Sequence, residues 1–171
     1  MTGNYNNYKP FEKKLSKKYD GFAKKISSEF LLSLKDSSGS LFEFETPLDQ
    51  QTEKYKAYDY IINYIPEGKK VRVEVECKAV WTKRVWQYYP DNIHIPARKR
   101  DSRANIFIMV NKHGNSLCMC MMEDIKNSKV VVKSTKNRYN GTRTRSETFF
   151  SVPLDKFKFF YRDIDNAWKE Q

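Results

Sequence analysis

The chain has 171 residues, enough for one domain with a full hydrophobic core. It carries 32 Lys and Arg against 21 Asp and Glu, a net charge of +11, and its pI is about 9.5. Eleven Tyr, eleven Phe and three Trp exclude a chain disordered throughout, no apolar run reaches membrane-span length, and the excess of positive charge favours a polyanionic partner.

Residues 1–9 read as a polar Asn/Tyr tail, and 10–171 as a single domain. Phe11, Leu15, Tyr19, Phe22, Ile26 and Phe30 recur every three or four residues, which predicts a helix with an apolar stripe. Gly21 is a candidate break, with Asp20 capping a second helix. Lys13, Lys14, Lys17, Lys18, Lys24 and Lys25 fall on the opposite side. After a loop at Asp36-Ser-Ser-Gly-Ser, residues 41–46 alternate as a first strand, and 57–65 are aromatic and β-branched, a second. Pro66-Glu-Gly-Lys-Lys is a turn, and 71–78 form the third strand of an antiparallel arrangement. The segment from Ala79 to Tyr89 is either a short helix or an aromatic loop, with Trp81 and Trp86 placed for base stacking or for core packing. Arg98, Lys99, Arg100 and Arg103 cluster after it, a candidate phosphate-contacting patch. Residues 105–111 and 116–122 read as strands. Residues 129–134 and 146–152 flank Asn140-Gly141, a hairpin signal, whose tip holds Lys136, Arg138, Arg143 and Arg145. That tip is a DNA-contacting arm or a soluble loop. Phe157–Tyr161 is a last apolar segment.

The chemistry concentrates in Val-Arg-Val-Glu-Val-Glu-Cys-Lys, residues 71–78. Period-two alternation puts Val71, Val73, Val75 and Cys77 on a buried face and Arg72, Glu74, Glu76 and Lys78 on the other. Glu76 and Lys78 project the same way, roughly 7 Å apart along the strand. Pairing across the 66–70 turn is expected to bring Asp59 beside Glu76. Two carboxylate oxygens completed by water suit magnesium or manganese, not zinc. A Glu-x-Lys triplet alone is equally an exposed charge pair; the buried alternation and the upstream acids set this one apart.

This pattern resembles the PD-(D/E)xK nuclease superfamily across roughly residues 20–112. The resemblance implies an α/β fold with a restriction-endonuclease-like core: a central mixed sheet flanked by helices, here with an added C-terminal hairpin. It also implies a metal-dependent endonuclease that hydrolyses phosphodiester bonds, most simply in DNA, of restriction, homing or junction-resolving type. Asp59 and Glu76 would ligate Mg2+, with Mn2+ able to substitute, and Lys78 would orient or deprotonate the attacking water. Glu29, after Ser27 and Ser28 on the first helix, matches the family's helical Glu and would support the metal or the lysine. Glu74, on the same strand face, is the rival ligand. Tyr58 stands where the family's proline would precede the Asp, and Pro90 and Pro96 interrupt the region after Lys78.

Other chemistries find little support. His94 and His113 are the two histidines, and no zinc spacing is present. Gly-x-Gly-x-x-Gly, the P-loop and Gly-x-Ser-x-Gly are absent, so no small-molecule cofactor is expected. Three cysteines, Cys77, Cys118 and Cys120, read as reduced thiols of an intracellular, cytoplasmic protein, and the N-terminus lacks a signal-peptide core. DNA is the expected partner and a membrane is not. Cleavage of both strands would favour a homodimer. The competing reading is a non-catalytic nucleic-acid-binding module using the same basic surface.

Overall fold

The structure is a computed structural model that describes residues 9–51, 57–87, 91–136 and 144–171, with side chains described there except at 9–17, 135, 136, 144 and 145. The chain opens with helix α1 (Lys9–Ser33), followed by a minimal hairpin of β1 (Lys35–Asp36) and β2 (Gly39–Ser40). Strands β3 (Phe42–Glu43), β4 (Tyr60–Tyr64) and β5 (Lys69–Lys78) then form an antiparallel meander. The chain crosses over through β6 (Asn92–Pro96) and returns as β7 (Ile106–Asn111), parallel to β5. Next come β8 (Ser116–Met121), a short helix α2 (Met122–Lys126), the hairpin β9 (Lys129–Lys136) and β10 (Thr144–Pro153), then β11 (Lys158–Arg162) and β12 (Trp168–Glu170). The result is a mixed α/β fold around a seven-stranded mixed sheet, order β12-β11-β8-β7-β5-β4-β3, with β6-β10-β9 as a separate three-stranded sheet.

Helix α1 continues through Gly21 rather than breaking there. Gly21 lies on the solvent side with no neighbour to its missing Cβ, so it costs the helix about 1 kcal/mol relative to alanine without interrupting it. Asp20 is accordingly no cap; it pairs with Lys24 one turn on, at 3.2 Å. Ala23, Ile26 and Phe30 bury against Tyr60, Ile62, Val73, Val75, Ile106, Ile108 and Val110. Where β7 turns into β8, Gly114 (φ 67°) is in the left-handed region. A Cβ there would come within 2.7 Å of Phe22 on α1, so the turn needs glycine for both reasons.

The other face of the large sheet is covered differently from the expectation of flanking helices. Phe107, Met109, Cys118 and Cys120 pack against Ile93 and Ile95 of β6, Phe150 and Val152 of β10, and Met122 and Ile125 of α2. A second sheet thus takes the place of a second helical layer, and β9 and β10 belong to it; the hairpin tip at 137–143 lies outside the described residues. All six residues of β7 are buried because both faces are covered. The segment after Lys78 is a loop, and Trp81 fills this second core with no exposure. The polar end beyond Tyr161 also adds a strand, β12, on β11. Among the described residues no helix is long and apolar enough to cross a membrane.

Candidate functional site

Strand β4 pairs with β5 only from Tyr60↔Val73 to Tyr64↔Lys69. Asp59 lies just before β4, and its N–H donates to the Val73 carbonyl at 2.8 Å. The next carbonyl that could continue the ladder, that of Ala57, is taken by the Arg103 N–H (2.8 Å) and the Ser102 hydroxyl (3.0 Å). The Val75 N–H is therefore left without a strand partner, and Asp59 Oδ2 accepts it at 2.7 Å. A carboxylate here substitutes for a strand carbonyl, and from this point β4 diverges from β5. Residues 74–78 consequently form an edge of β5 flanked by β7 on its other side.

Asp59 is pushed up to about 6, first by burial and then by the negative charges of Glu74 and Asp20; the Val75 hydrogen bond and Lys24, 3.8 Å away, oppose the shift. Below the ordinary value of 3.8 the carboxyl is protonated in both native and unfolded chains and costs nothing. As pH rises from there to about 6, the unfolded chain ionises first, so the native state loses stability and the loss is complete above about 6. Asp59→Asn, whose amide oxygen can still accept from Val75, is expected to gain about 2 kcal/mol at pH 7.5 but little at pH 4. Urea unfolding of both proteins at the two pH values measures this. A gain of equal size at both would rule out burial of the charge as its cause.

The carboxylate brought beside Asp59 is Glu74, not Glu76. Asp59 bonds the backbone of Val73 and Val75, on either side of Glu74, and it is the Glu74 charge that acts on it, two residues short of the expected partner. Glu74 is itself engaged: the Lys99 ammonium donates to Oε1, and the Ser102 hydroxyl lies 3.3 Å from Oε2. Glu76 is half-buried, and its Oε2 is buried with no hydrogen-bond donor. Its neighbour across the parallel ladder is Met109, which offers none. Lys78 is half-buried on the same face, and its ammonium has no hydrogen bond or ion pair among the described residues. Lys78 borders a cavity of about 220 Å3 between the β5 edge and the smaller sheet.

Glu29 is not part of this group. Its carboxylate is on α1, which packs on the Val73–Val75 face, so the sheet stands between it and Glu76. It pairs instead with Arg162 Nη2 of β11 at 3.1 Å, and β7 and β8 separate β11 from β5. The α1 side chain that does reach Asp59 is Lys24.

Of the basic cluster, Arg98, Arg100 and Arg103 are exposed, with the Arg100 guanidinium 5.7 Å from the Phe150 ring centroid. Lys99 turns inward onto Glu74, so it is an internal counter-ion and is withdrawn from phosphate contact. Arg138 and Arg143 lie outside the described residues, and of Arg145 only the backbone is described, paired with Thr135 in the hairpin. The three cysteines are unpaired, and burial pushes Cys77 up to about 11 and Cys120 to about 12, which leaves thiolate chemistry no support near neutral pH.

Among the described residues no three His, Cys, Asp or Glu side chains form a metal-holding group. Magnesium does not require one: it is commonly held by one or two carboxylates, with water and substrate phosphate oxygens completing its shell. The donor chemistry at the β5 edge fits that mode, since Glu76 Oε2 is a buried hard acceptor with no donor of its own. No known protein family, curated protein or solved structure matches the chain.

Proposed function

We propose that the protein is a magnesium-dependent nuclease acting on DNA, with a restriction-endonuclease-like core made of α1, the β3–β4–β5 meander and β7. The observation that carries this reading is the orphaned Glu76 carboxylate oxygen, on the same strand face as a half-buried lysine with no described partner. Burying a carboxylate oxygen without a donor is costly, and a cation supplied from outside removes that cost. The order of helix, three antiparallel strands and a strand parallel to the third supports the same reading.

Glu76 would hold the metal, with water and substrate phosphate oxygens completing its shell, and the metal when bound would supply Lewis acidity and an activated water. Lys78 presents a compact ammonium able to orient the attacking water and to stabilise the charge that develops on the phosphate. Lys99 holds Glu74 in place by an ion pair, so Glu74 acts as a holder of the site's shape and Glu76 as the ligand. Arg98, Arg100 and Arg103 would contact backbone phosphates beside the site.

Incubation with plasmid DNA and with single-stranded DNA, in Mg2+, in Mn2+ and in EDTA, tests the assignment directly. Cleavage is expected with either metal and none with the chelator. DNA binding without cleavage under any of these conditions would favour the non-catalytic binding module instead. Reversing Arg98, Arg100 and Arg103 to Glu is expected to weaken binding and to flatten its salt dependence, each lost phosphate contact reducing the log–log slope by about 0.9. An unchanged slope would move the DNA-binding surface elsewhere.

A further inference from the structure

Beyond β6 the smaller sheet is reduced to two strands. Strands β9 and β10 pair from Lys129↔Ser151 to Lys136↔Thr144, whereas β6 flanks β10 only from Phe149 to Pro153. The five pairs from Thr148 to Thr144 therefore form a two-stranded ribbon, roughly 15 Å long at about 3.3 Å per residue. Directly paired side chains share a face, so Val132 and Thr148 stand with Ser134 and Ser146 on one side of it. All four are exposed, Val132 by 68%. The opposite side sets Lys133 across from Glu147, opposite charges that favour the pairing. Where the exposed face runs back into the core, Val130 is paired with the buried Phe150, and the Arg100 guanidinium lies 5.7 Å from the Phe150 ring centroid. The ribbon face thus adjoins the basic patch at Arg98 and Arg100.

The charge around this ribbon is of one sign. From Lys126 to Ser146 the sequence has seven Lys and Arg and no Asp or Glu, which suits the phosphates on either side of a nucleic-acid groove. The side chains on the exposed face have base-edge chemistry: serine and threonine hydroxyls bond donors or acceptors, and valine and threonine methyls meet that of thymine. The face holds no aromatic ring, so an unpaired strand finds nothing to stack on. The major groove of B-DNA, roughly 12 Å wide, admits a two-stranded ribbon, whereas that of an RNA duplex is too narrow.

We infer that the β9–β10 ribbon seats in the major groove of a B-form DNA duplex. Val132, Ser134, Ser146 and Thr148 turn toward the base edges, and Arg98 and Arg100 meet the adjoining backbone. Ser134 also lines the cavity beside Lys78, so a duplex held by the ribbon lies next to the β5 edge. Groove binding stands without catalysis; only the consequence that the ribbon selects which bond meets Glu76 and Lys78 rests on the nuclease reading.

Fluorescence anisotropy of the whole protein in EDTA isolates the binding step. The probes are a short DNA duplex, an RNA duplex and a DNA single strand of the same sequence. The DNA duplex is expected to bind at least about tenfold more tightly than the RNA duplex, whose groove shuts the ribbon out. Filling the DNA major groove with glucosylated hydroxymethylcytosine is expected to cost about tenfold, and occupying the minor groove with netropsin to cost little. Ser134→Glu and Ser146→Glu are each expected to weaken binding about tenfold with circular dichroism unchanged, against at most about twofold for Ser40→Glu, the same change at an exposed position of β2. No binding of the DNA duplex, equal affinity for the RNA duplex or the single strand, or competition by netropsin and not by glucosylation overturns the assignment. Ser146→Glu binding no more weakly than Ser40→Glu does the same. Groove binding in a protein that shows no cleavage with Mg2+ would overturn the nuclease reading alone, and cleavage that glucosylation and both ribbon variants leave unchanged would overturn the ribbon alone.

Discussion

Lys78→Ala is expected to slow single-turnover DNA cleavage by about 10²- to 10⁴-fold, the range in which a positioned proton-transfer or charge-stabilising group acts. Glu76→Gln is expected to cause a loss of similar size, because the amide keeps the shape but removes the negative charge from the orphaned oxygen position. Lys78→Arg should fail to restore activity. The half-buried site suits a compact ammonium, and a planar guanidinium directs its donors elsewhere. All three substitutions leave the apolar face of β5 untouched, so urea midpoints should stay near that of the parent protein. Cleavage by Lys78→Arg near the parental rate would reduce the lysine to a bulk positive charge. Parental rates in Glu76→Gln would remove Glu76 from metal binding.

Trp81→Ala carries the largest expected cost in stability, about 3–5 kcal/mol, through lost burial and the cavity left behind. The indole has no exposure and contacts the rings of Trp86 and Phe159, with centroids 5.1 and 6.3 Å away. Its Nε1–H donates to the Val85 carbonyl at 3.0 Å, while its own N–H donates to the Lys78 carbonyl and its carbonyl accepts from Lys112, both at 2.9 Å. Those bonds fasten the loop after β5 beneath the cavity, so the substitution also removes the wall against which Trp86 leans. Val85→Ala, at a residue 59% exposed in the same loop, is expected to stay within about 0.5 kcal/mol of the parent. Chemical denaturation of the two variants makes the comparison, and a cost below about 1 kcal/mol for Trp81→Ala would contradict its place at the centre of the second core.

The local patterns were legible in the sequence wherever one short segment carries its own periodicity. Val71, Val73 and Val75 alternate with charges, and β5 buries Val73 and Val75 with Val71 half-buried beside them. The apolar run at 106–111 is a strand covered on both sides, and the Asn140-Gly141 signal lies between two strands that do pair. The α1 stripe from Phe22 to Phe30 also faces the core, because spacing of three and four residues puts those positions on one side of any α-helix.

Relations between segments were not legible, because they depend on register and on what covers each face. Alternation in β4 and β5 does not say which residues meet where the strands part, yet there Asp59 takes the Val75 N–H and feels Glu74, while Glu76 Oε2 has no donor. Glu29 has the sequence position of a helical ligand, but α1 lies on the valine face, and Arg162 from the far end of the chain meets it there. Lys99 looked like its arginine neighbours until the fold placed a half-buried carboxylate beneath it. His94, Lys133 and Trp86 share no motif, and only the stacking of the small sheet on the large one brings them to Lys78. The sequence by itself determined the longer elements, such as α1, β5 and β7, and which of their faces are buried, since those follow from spacing along one strand or helix. Tertiary structure decided which charged groups meet, since burying both sides of β7 against α1 and the smaller sheet sets every long-range distance at the site.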